Sequence, residues 1–225
     1  LRKNPFYYYV LARTKHYDAV FSAAIADGVQ HILNIGCGSD TRAYRYADQL
    51  RDARVSCMEC DQEEAIVCKE QMARRKLKAG HVQYMPIDLN VANWASIDEW
   101  LTSRKGSKVL VIMEGVSPYI DEKTFAAFLK LLASRLSAGS RLAYDFKRKG
   151  VADEFGRAHA VSVPFRLSAD PVEVGRFHQE LGLCVDRFEL DNELVARTVP
   201  GIKNTSRKMF SEDALVQLSV SNPGG

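Results

Sequence analysis

The sequence predicts an α/β fold: a mostly parallel sheet of seven strands, with an antiparallel hairpin at one edge and helices on both faces. Three observations support this prediction. Short apolar runs rich in β-branched residues alternate with helical patterns along the 225-residue chain. The run 109–113 is continuously apolar, as in a strand buried on both faces. A glycine turn, Gly36-Cys37-Gly38, directly follows the first run, where parallel sheets bind ligands.

The first two thirds of the chain predict five parallel strands. A helix over 17–26 stops at Asp27-Gly28, because glycine favours the end of a helix. Each later strand–helix–strand unit predicts two parallel strands, since a parallel pair needs a long crossover. The strands are expected at 30–35, 54–59, 82–87, 108–113 and 141–146, separated by helices at 41–50, 62–78, 93–102 and 121–137.

The last third is expected to complete the sheet at its edge. A helical pattern over 171–181 ends at Gly182, and 184–190 then alternates between apolar and polar residues like a strand. A second apolar strand is predicted at 214–220, after a long insert. Two neighbouring strands at the end of the chain favour an antiparallel hairpin.

We expect one domain over 1–225, because no linker, repeat or low-complexity segment divides the chain. A hydrophobic content of 46% is ordinary for a globular protein. Within the domain we predict an N-terminal helical lid segment at 1–29, a cofactor-binding core at 30–150, and a substrate cap with the edge strands at 151–225.

Charge and cysteine content narrow the possible partners. The formal net charge of +3 gives no general attraction to nucleic acid or to a membrane surface. The longest apolar run is far too short to cross a bilayer, and no signal peptide is visible. Five cysteines, an odd number, fit a reducing compartment. The sequence therefore predicts a cytoplasmic protein without nucleic-acid or membrane partners, and it leaves the oligomeric state open.

Cys57 and Cys60 have the spacing of half a zinc site or of a redox pair. They lie in a strand-like run, however, where residues three apart point to opposite faces of the sheet. No second cysteine pair or histidine cluster accompanies them. We therefore predict buried, unpaired cysteines and no metal site.

The residues after the glycine turn distinguish between cofactors. A dinucleotide fingerprint has Gly or Ala three residues after its second glycine, whereas Thr41 stands here. Asp40 lies at the expected start of the next helix, where its carboxylate would repel a pyrophosphate. A cationic ligand, such as the sulfonium and ammonium of S-adenosylmethionine, suits that carboxylate better. Gly36, Gly38 and Asp40 are therefore predicted to contact S-adenosylmethionine.

Acidic residues follow the other strands at the edge where a parallel sheet binds ligands. Asp61 would accept hydrogen bonds from both ribose hydroxyls, or cap the helix that follows. Asp88 would accept from the adenine amino group while Leu89 covers the ring, with helix capping again the alternative. Glu114 ends an apolar strand and needs a charged partner, for which the amino group of the methionine moiety would serve.

Other polar groups have less specific interpretations. Asp145 is expected to be a structural cap or a lysine partner rather than a ligand contact. We expect the basic run 74–78 to form the solvent-exposed face of a long helix. The run 147–149 lies at the ligand edge and could face an acidic substrate or the phosphopantetheine of a carrier protein.

Four segments together resemble the leucine carboxyl methyltransferase family, within the class I S-adenosylmethionine-dependent methyltransferases. They are Asn34-Ile35-Gly36-Cys37-Gly38-Ser39-Asp40-Thr41-Arg42, Glu59-Cys60-Asp61, Pro86-Ile87-Asp88-Leu89 and Met113-Glu114-Gly115-Val116-Ser117-Pro118-Tyr119-Ile120. The resemblance covers about residues 8 to 150. It implies the Rossmann-like class I fold, S-adenosyl-L-methionine as cofactor and S-adenosyl-L-homocysteine as product. The family includes carboxyl and O-methyltransferases of polyketide pathways.

The resemblance also implies two site residues outside the strand-end acids. The family holds the methionine carboxylate with an arginine before the first strand, and Arg13 stands at that place. Its tyrosine after the fourth-strand acid matches Tyr119, which we expect to contact the substrate. The family usually carries more sequence before this arginine, and the last third of the chain matches no member closely.

The sequence thus predicts an O-methyltransferase acting on a carboxylate or hydroxyl of a small molecule, such as a polyketide or other secondary metabolite, free or carried by a protein. A carboxylate acceptor is already ionised at neutral pH, whereas a hydroxyl needs a base, for which His159 and His178 are candidates. Two alternatives stay open: an NAD(P)-dependent oxidoreductase, and a methyltransferase-like domain that binds without catalysis.

Overall fold

The computed structural model describes residues 5–77, 80–150, 163–199 and 212–220. Seven strands form the main path of one sheet in the order β3-β2-β1-β4-β5-β8-β7, and a short β6 pairs with the end of β5. The strands are β1 (His31–Ile35), β2 (Ser56–Asp61), β3 (Val82–Pro86), β4 (Val109–Met113), β5 (Arg141–Arg148), β6 (Arg166–Leu167), β7 (Leu183–Leu190) and β8 (Asp213–Val220).

Strand direction follows the predicted pattern. β1 to β5 are parallel along the sheet, and β8 pairs antiparallel with both β5 and β7. The strand order reverses at β1, because β2 and β4 lie on either side of it. An open sheet binds ligands at the carboxyl ends of the strands beside such a reversal.

Eight α-helices are described, and a 3₁₀ turn spans Ser117–Tyr119. They are α1 (Pro5–Ala26), α2 (Arg42–Arg45), α3 (Ala47–Asp52), α4 (Glu63–Lys76), α5 (Ala95–Thr102), α6 (Glu122–Arg135), α7 (Pro171–Glu180) and α8 (Asp191–Thr198). None of the helices in the described ranges has the length and hydropathy of a membrane span.

Two apolar cores flank the sheet. On one face α5, α6 and α7 pack against the sheet around Phe125 and Phe128. On the other face α1, α2, α3 and α8 pack around Tyr17 and Phe21. Cys60 belongs to the first core and Cys57 to the second, so the two thiols lie on opposite faces as predicted.

The comparison with the predicted elements confirms the fold class and corrects several boundaries. α1 begins at Pro5 rather than near residue 17, and it buries Tyr9, Ala12 and His16 against the sheet. The described helix of the segment predicted as a lid, Pro5–Ala26, therefore packs on the core. The predicted helix over 41–50 breaks at Tyr46. The sequence did not predict α8, which packs against α1.

Candidate functional site

Two clefts open at the carboxyl ends of the central strands, and Gly36 lines both of them. The larger cleft has a volume of about 450 Å³ and extends from Gly36 toward Asp61, Asp88 and Tyr119. The smaller cleft, of about 310 Å³, extends from Gly36 toward Arg13, Arg42 and Glu114.

Gly36 separates the two clefts at a position that only glycine suits. Its φ of +64° lies in the left-handed region that side chains rarely adopt. A Cβ atom there would stand 2.3 Å from Cγ2 of Val116, which is a steric clash. The backbone is therefore bare where an elongated ligand would pass from one cleft into the other.

In the larger cleft, Asp61 keeps free acceptor capacity. Its Oδ2 accepts the Gly38 N–H at 2.6 Å and its Oδ1 accepts the Gln62 N–H at 2.8 Å. A carboxylate offers about four lone-pair sites, so two are left for further donors. The side chain does not cap α4, whose N-cap residue is Gln62, so the capping alternative is not what the structure shows.

Asp88 and Leu89 lie farther along the same cleft. Oδ1 of Asp88 accepts the Asn90 N–H at 2.9 Å, and Gln62 Nε2 donates to Oδ2 at 3.4 Å. Leu89 is buried, and Ile87, Val116 and Ile120 supply further apolar lining. An acceptor beside an apolar slot suits a flat ring that carries an amino group.

Ionic groups dominate the smaller cleft. Arg42 is 2% exposed, and its Nη1 contacts Glu114 Oε2 at 2.8 Å and Asp40 Oδ2 at 2.7 Å. Its Nε donates to Asp18 Oδ1 at 2.9 Å. Asp40 also accepts from the Arg42 backbone N–H and from Asn34 Nδ2. Asp40, predicted as a cofactor contact, therefore uses its oxygens to hold the turn and Arg42.

Arg13 and Glu114 meet in the smaller cleft. Arg13 Nε donates to Glu114 Oε1 at 3.2 Å, and Arg13 Nη1 donates to Asp145 Oδ2 at 3.1 Å. Among the described residues, Nη2 of Arg13 donates no hydrogen bond, and the side chain is 19% exposed. Burial raises the pKa of Glu114 above its ordinary value, while Arg42 and Arg13 oppose that shift.

The ion pairs of the smaller cleft extend beyond the residues that line it. Its three lining arginines, Arg13, Arg42 and Arg45, pair with two lining carboxylates, Asp40 and Glu114, and with two carboxylates behind the lining, Asp18 and Asp145. The cleft therefore presents both positive and negative groups, which suits a ligand end that carries both an ammonium and a carboxylate.

The structure brings the predicted cofactor residues together around Gly36. Gly38, Asp40, Arg13 and Glu114 line the smaller cleft, and the other predicted residues, Asp61, Asp88, Leu89 and Tyr119, line the larger one. The sequence missed Arg42, Asp18 and Asp145 as parts of the network. The Asp-Thr-Arg motif was the only sequence signal for Arg42. The contacts of Asp18 and Asp145 depend on how α1 packs.

Of the two candidate bases, His178 lies away from the clefts. His178 is fully buried in α7, where its Nε2 meets the Tyr144 hydroxyl at 2.6 Å and its Nδ1 meets the Val174 carbonyl at 2.7 Å. Desolvation lowers its pKa to about 4, so His178 is a neutral core residue and not a base in the described clefts. His159 lies outside the described residues.

The prediction for the basic run 147–149 needs a correction at Lys147, whereas Lys149 is exposed. Lys147 is 4% exposed and pairs with Glu212 at 2.9 Å and with Asp213 at 2.7 Å. It is a buried ion-pair member and does not offer a free charge to an acidic partner. Asp145, expected to cap a helix or bind a lysine, instead binds Arg13.

A reversing parallel sheet, an antiparallel edge strand and strand-end acids around a glycine turn define a class I methyltransferase-like site. The sequence profile described as leucine carboxyl methyltransferase matches residues 2–133. The chain therefore belongs to the leucine carboxyl methyltransferase family, which confirms the predicted resemblance and the predicted cofactor, S-adenosylmethionine.

Curated relatives carry names of the same kind. A "putative S-adenosyl-L-methionine-dependent methyltransferase" of Frankia alni is 25% identical over 65% of this chain and 50% of its own length. A relative with the same description, YktD of Bacillus subtilis, is 23% identical over 76% of this chain and 57% of its own length. The chain thus spans about half the length of the curated relatives it matches.

Solved structures share the fold. A "putative methyltransferase" of Thermobifida fusca superposes with a TM-score of 0.65 at 12% identity, covering 95% of this chain and 82% of its own. Magnesium protoporphyrin IX methyltransferase of Synechocystis, solved with bound S-adenosylhomocysteine, gives 0.58 at 16% identity, covering 94% and 84%. These likenesses confirm the predicted Rossmann-like sheet.

Proposed function

We propose that this chain forms the cofactor-binding and catalytic part of an S-adenosylmethionine-dependent O-methyltransferase. The observation that carries the proposal is the pair of clefts joined at Gly36. Asp61 and Asp88 in the larger cleft suit the ribose hydroxyls and the adenine amino group. Glu114 and Arg13 in the smaller cleft suit the ammonium and the carboxylate of the methionine moiety.

The described residues would bind and align the reactants. The cofactor supplies an electrophilic methyl group on a sulfonium, which an acceptor oxygen attacks in line. Enzymes of this kind gain most of their rate from proximity and alignment. Tyr119, which lines the larger cleft, is the residue we assign to positioning the acceptor.

We propose a carboxylate as the acceptor, with an acidic hydroxyl as the second candidate. No histidine lines either cleft in the described part of the chain, and His178 is buried elsewhere. A carboxylate, with an ordinary pKa of about 4, needs no base. Two proteins of similar fold, NcsB1 of neocarzinostatin biosynthesis and mitomycin 7-O-methyltransferase MmcR, are O-methyltransferases, and this likeness supports O-methylation of a secondary metabolite.

Partners and location follow the same reasoning. We propose a small-molecule acceptor, and the burial of Lys147 weakens the case for docking of a carrier protein at that point. A cytoplasmic location, and the absence of nucleic-acid and membrane partners, stay predictions from charge and cysteine content.

The first test is calorimetric. We expect S-adenosylhomocysteine to bind in the micromolar range and NAD to give no heat of binding. Binding of NAD without binding of S-adenosylhomocysteine would restore the oxidoreductase alternative.

The second test is transfer of a radiolabelled methyl group from S-adenosylmethionine to a panel of carboxylic acids and phenols. We expect labelled product from at least one carboxylic acid, and much less from the Asp61→Ala variant at a cofactor concentration near the wild-type Kd. Cofactor binding with no transfer to any acceptor in the panel would favour a domain that binds without catalysis.

A further inference from the structure

We propose that Asp145 is a positioning residue that sets the geometry of the methionine end of the site. It holds the Arg13 guanidinium and the backbone after Glu114 at the same time. This inference rests on the proposed function, because it assigns Asp145 to the binding of the methionine carboxylate and ammonium. Asp145 itself is not among the residues that line either cleft.

The Asp145 carboxylate accepts hydrogen bonds from three donors in two separate segments, α1 and the turn after β4. Its Oδ2 accepts Arg13 Nη1 at 3.1 Å. Its Oδ1 accepts the Tyr17 hydroxyl at 3.0 Å and the Gly115 N–H at 2.7 Å. The residue is 1% exposed, so water does not compete for these bonds.

Position on the sheet explains why one side chain reaches both segments. Asp145 lies on β5, next to β4, whose last residue precedes Glu114 and Gly115. Arg13 and Tyr17 are four residues apart and lie on one face of α1. Asp145 therefore ties α1 to the turn that presents Glu114.

Because Asp145 is present, the nitrogens of the Arg13 guanidinium bind two different carboxylates, those of Asp145 and Glu114. Arg13 Nη1 goes to Asp145, Nε goes to Glu114, and Nη2 donates no bond among the described residues. Without Asp145, the planar fork of Arg13 could bind Glu114 through two nitrogens, which is the preferred geometry of such pairs. Glu114 would then be less available to a ligand ammonium, and Arg13 to a ligand carboxylate.

The test compares two ligands on the Asp145→Asn variant. S-adenosylhomocysteine has the amino acid end, whereas 5′-methylthioadenosine lacks both its carboxylate and its ammonium. We expect Asp145→Asn to weaken S-adenosylhomocysteine about tenfold. The affinity for 5′-methylthioadenosine should stay within about twofold, because the larger cleft is untouched.

The matched control is Asp191→Asn. Asp191 is also a fully buried aspartate, and it accepts the backbone N–H groups of Glu212 and Asp213, away from both clefts. It should change the affinity for neither ligand. If Asp145→Asn behaves in the same way, or weakens both ligands equally, the positioning role of Asp145 is wrong.

A double-mutant cycle asks whether Asp145 acts through Arg13. Arg13→Lys keeps the charge but loses the fork, and it should show the same ligand-selective loss. Adding Asp145→Asn to Arg13→Lys should then weaken S-adenosylhomocysteine by less than about a further twofold, whereas fully additive losses of affinity would overturn the proposal.

If Asp145→Asn does not fold, the test is Asp145→Glu, which keeps the charge but displaces it. Unchanged affinity for S-adenosylhomocysteine would overturn the proposal. A wild-type chain that binds neither ligand would instead refute the proposed function.

Discussion

The two clefts that meet at Gly36 satisfy their polar groups in different ways. In the larger cleft, Asp61 and Asp88 accept from neighbouring backbone N–H groups and keep spare acceptor sites. In the smaller cleft, Glu114 already meets an arginine at each oxygen, and Arg42 is almost fully buried. The larger cleft is a set of local acceptors, whereas the smaller cleft is a network that also holds the fold together.

Because of this difference, substitutions in the two clefts should have different effects on ligand affinity and on folding stability. The smaller cleft joins α1, the glycine turn and the ends of β4 and β5 through ion pairs, so a substitution there should disturb both folding and ligand affinity. In the larger cleft, Asp61 and Asp88 make hydrogen bonds but no ion pair among the described residues, so a substitution there should disturb affinity more than stability.

The largest effect is expected for Arg42→Ala. Removing this guanidinium takes a counter-ion from Asp18, Asp40 and Glu114 at a site with little access to water. Breaking a buried ion pair on one side costs about 3–5 kcal/mol of unfolding free energy, which urea denaturation would measure. The control is Arg45→Ala, whose side chain is 44% exposed and whose loss should cost less than about 1 kcal/mol. Equal costs for the two variants would contradict the view that the smaller cleft supports the fold.

A smaller effect, limited to binding, is expected for Asp61→Ala. In the proposed binding mode the variant would lose two hydrogen bonds from ribose hydroxyls to a charged acceptor, which is worth about 2–3 kcal/mol, or roughly 30- to 150-fold in affinity for S-adenosylhomocysteine. Calorimetry measures the affinity, and a parallel urea titration should find the unfolding free energy changed by less than about 1 kcal/mol. Unchanged affinity would remove Asp61 from the site, and a large loss of stability would erase the distinction between the clefts.

The smallest effect concerns pH. Burial raises the pKa of Glu114, so this carboxylate takes up a proton at a higher pH than an exposed glutamate. A protonated Glu114 does not pair with an ammonium, so the proton and the ligand compete, and affinity falls as pH falls. As the pH is lowered from about 7.5 toward the ordinary glutamate pKa of about 4.5, we expect the affinity for S-adenosylhomocysteine to begin to fall at a higher pH than an exposed glutamate would give.

5′-Methylthioadenosine provides the comparison for this pH dependence, because it has no ammonium to place beside Glu114. Its affinity should stay nearly constant over the same range. Glu114→Gln should bind S-adenosylhomocysteine weakly and with a flatter pH profile. A wild-type profile that is equally steep for both ligands would show that Glu114 does not govern the smaller cleft.

The same contrast explains how much the sequence could predict. Asp61, Asp88 and Glu114 follow apolar strands directly, and a parallel sheet brings strand ends to one edge, so strand order was enough to place them. The roles of Asp18, Tyr17 and Asp145 depend on α1 crossing the sheet face, which strand order does not specify. α1 was also predicted too short, because the aromatic run Phe6–Tyr9 has weak helix propensity; in the structure Tyr9 and Tyr8 pack on the core while Phe6 and Tyr7 stay exposed. The break at Tyr46 and the burial of Lys147 are likewise set by tertiary contacts.

We propose that the two clefts bind the two ends of one ligand. The most direct measurement is a calorimetric titration of the wild-type chain with S-adenosylhomocysteine, repeated in the presence of saturating 5′-methylthioadenosine. We predict that 5′-methylthioadenosine binds about tenfold or more weakly and competes for the same site, because it occupies only the larger cleft. Equal affinities for the two ligands, or binding of S-adenosylhomocysteine that 5′-methylthioadenosine does not weaken, would show that the two clefts do not bind one ligand.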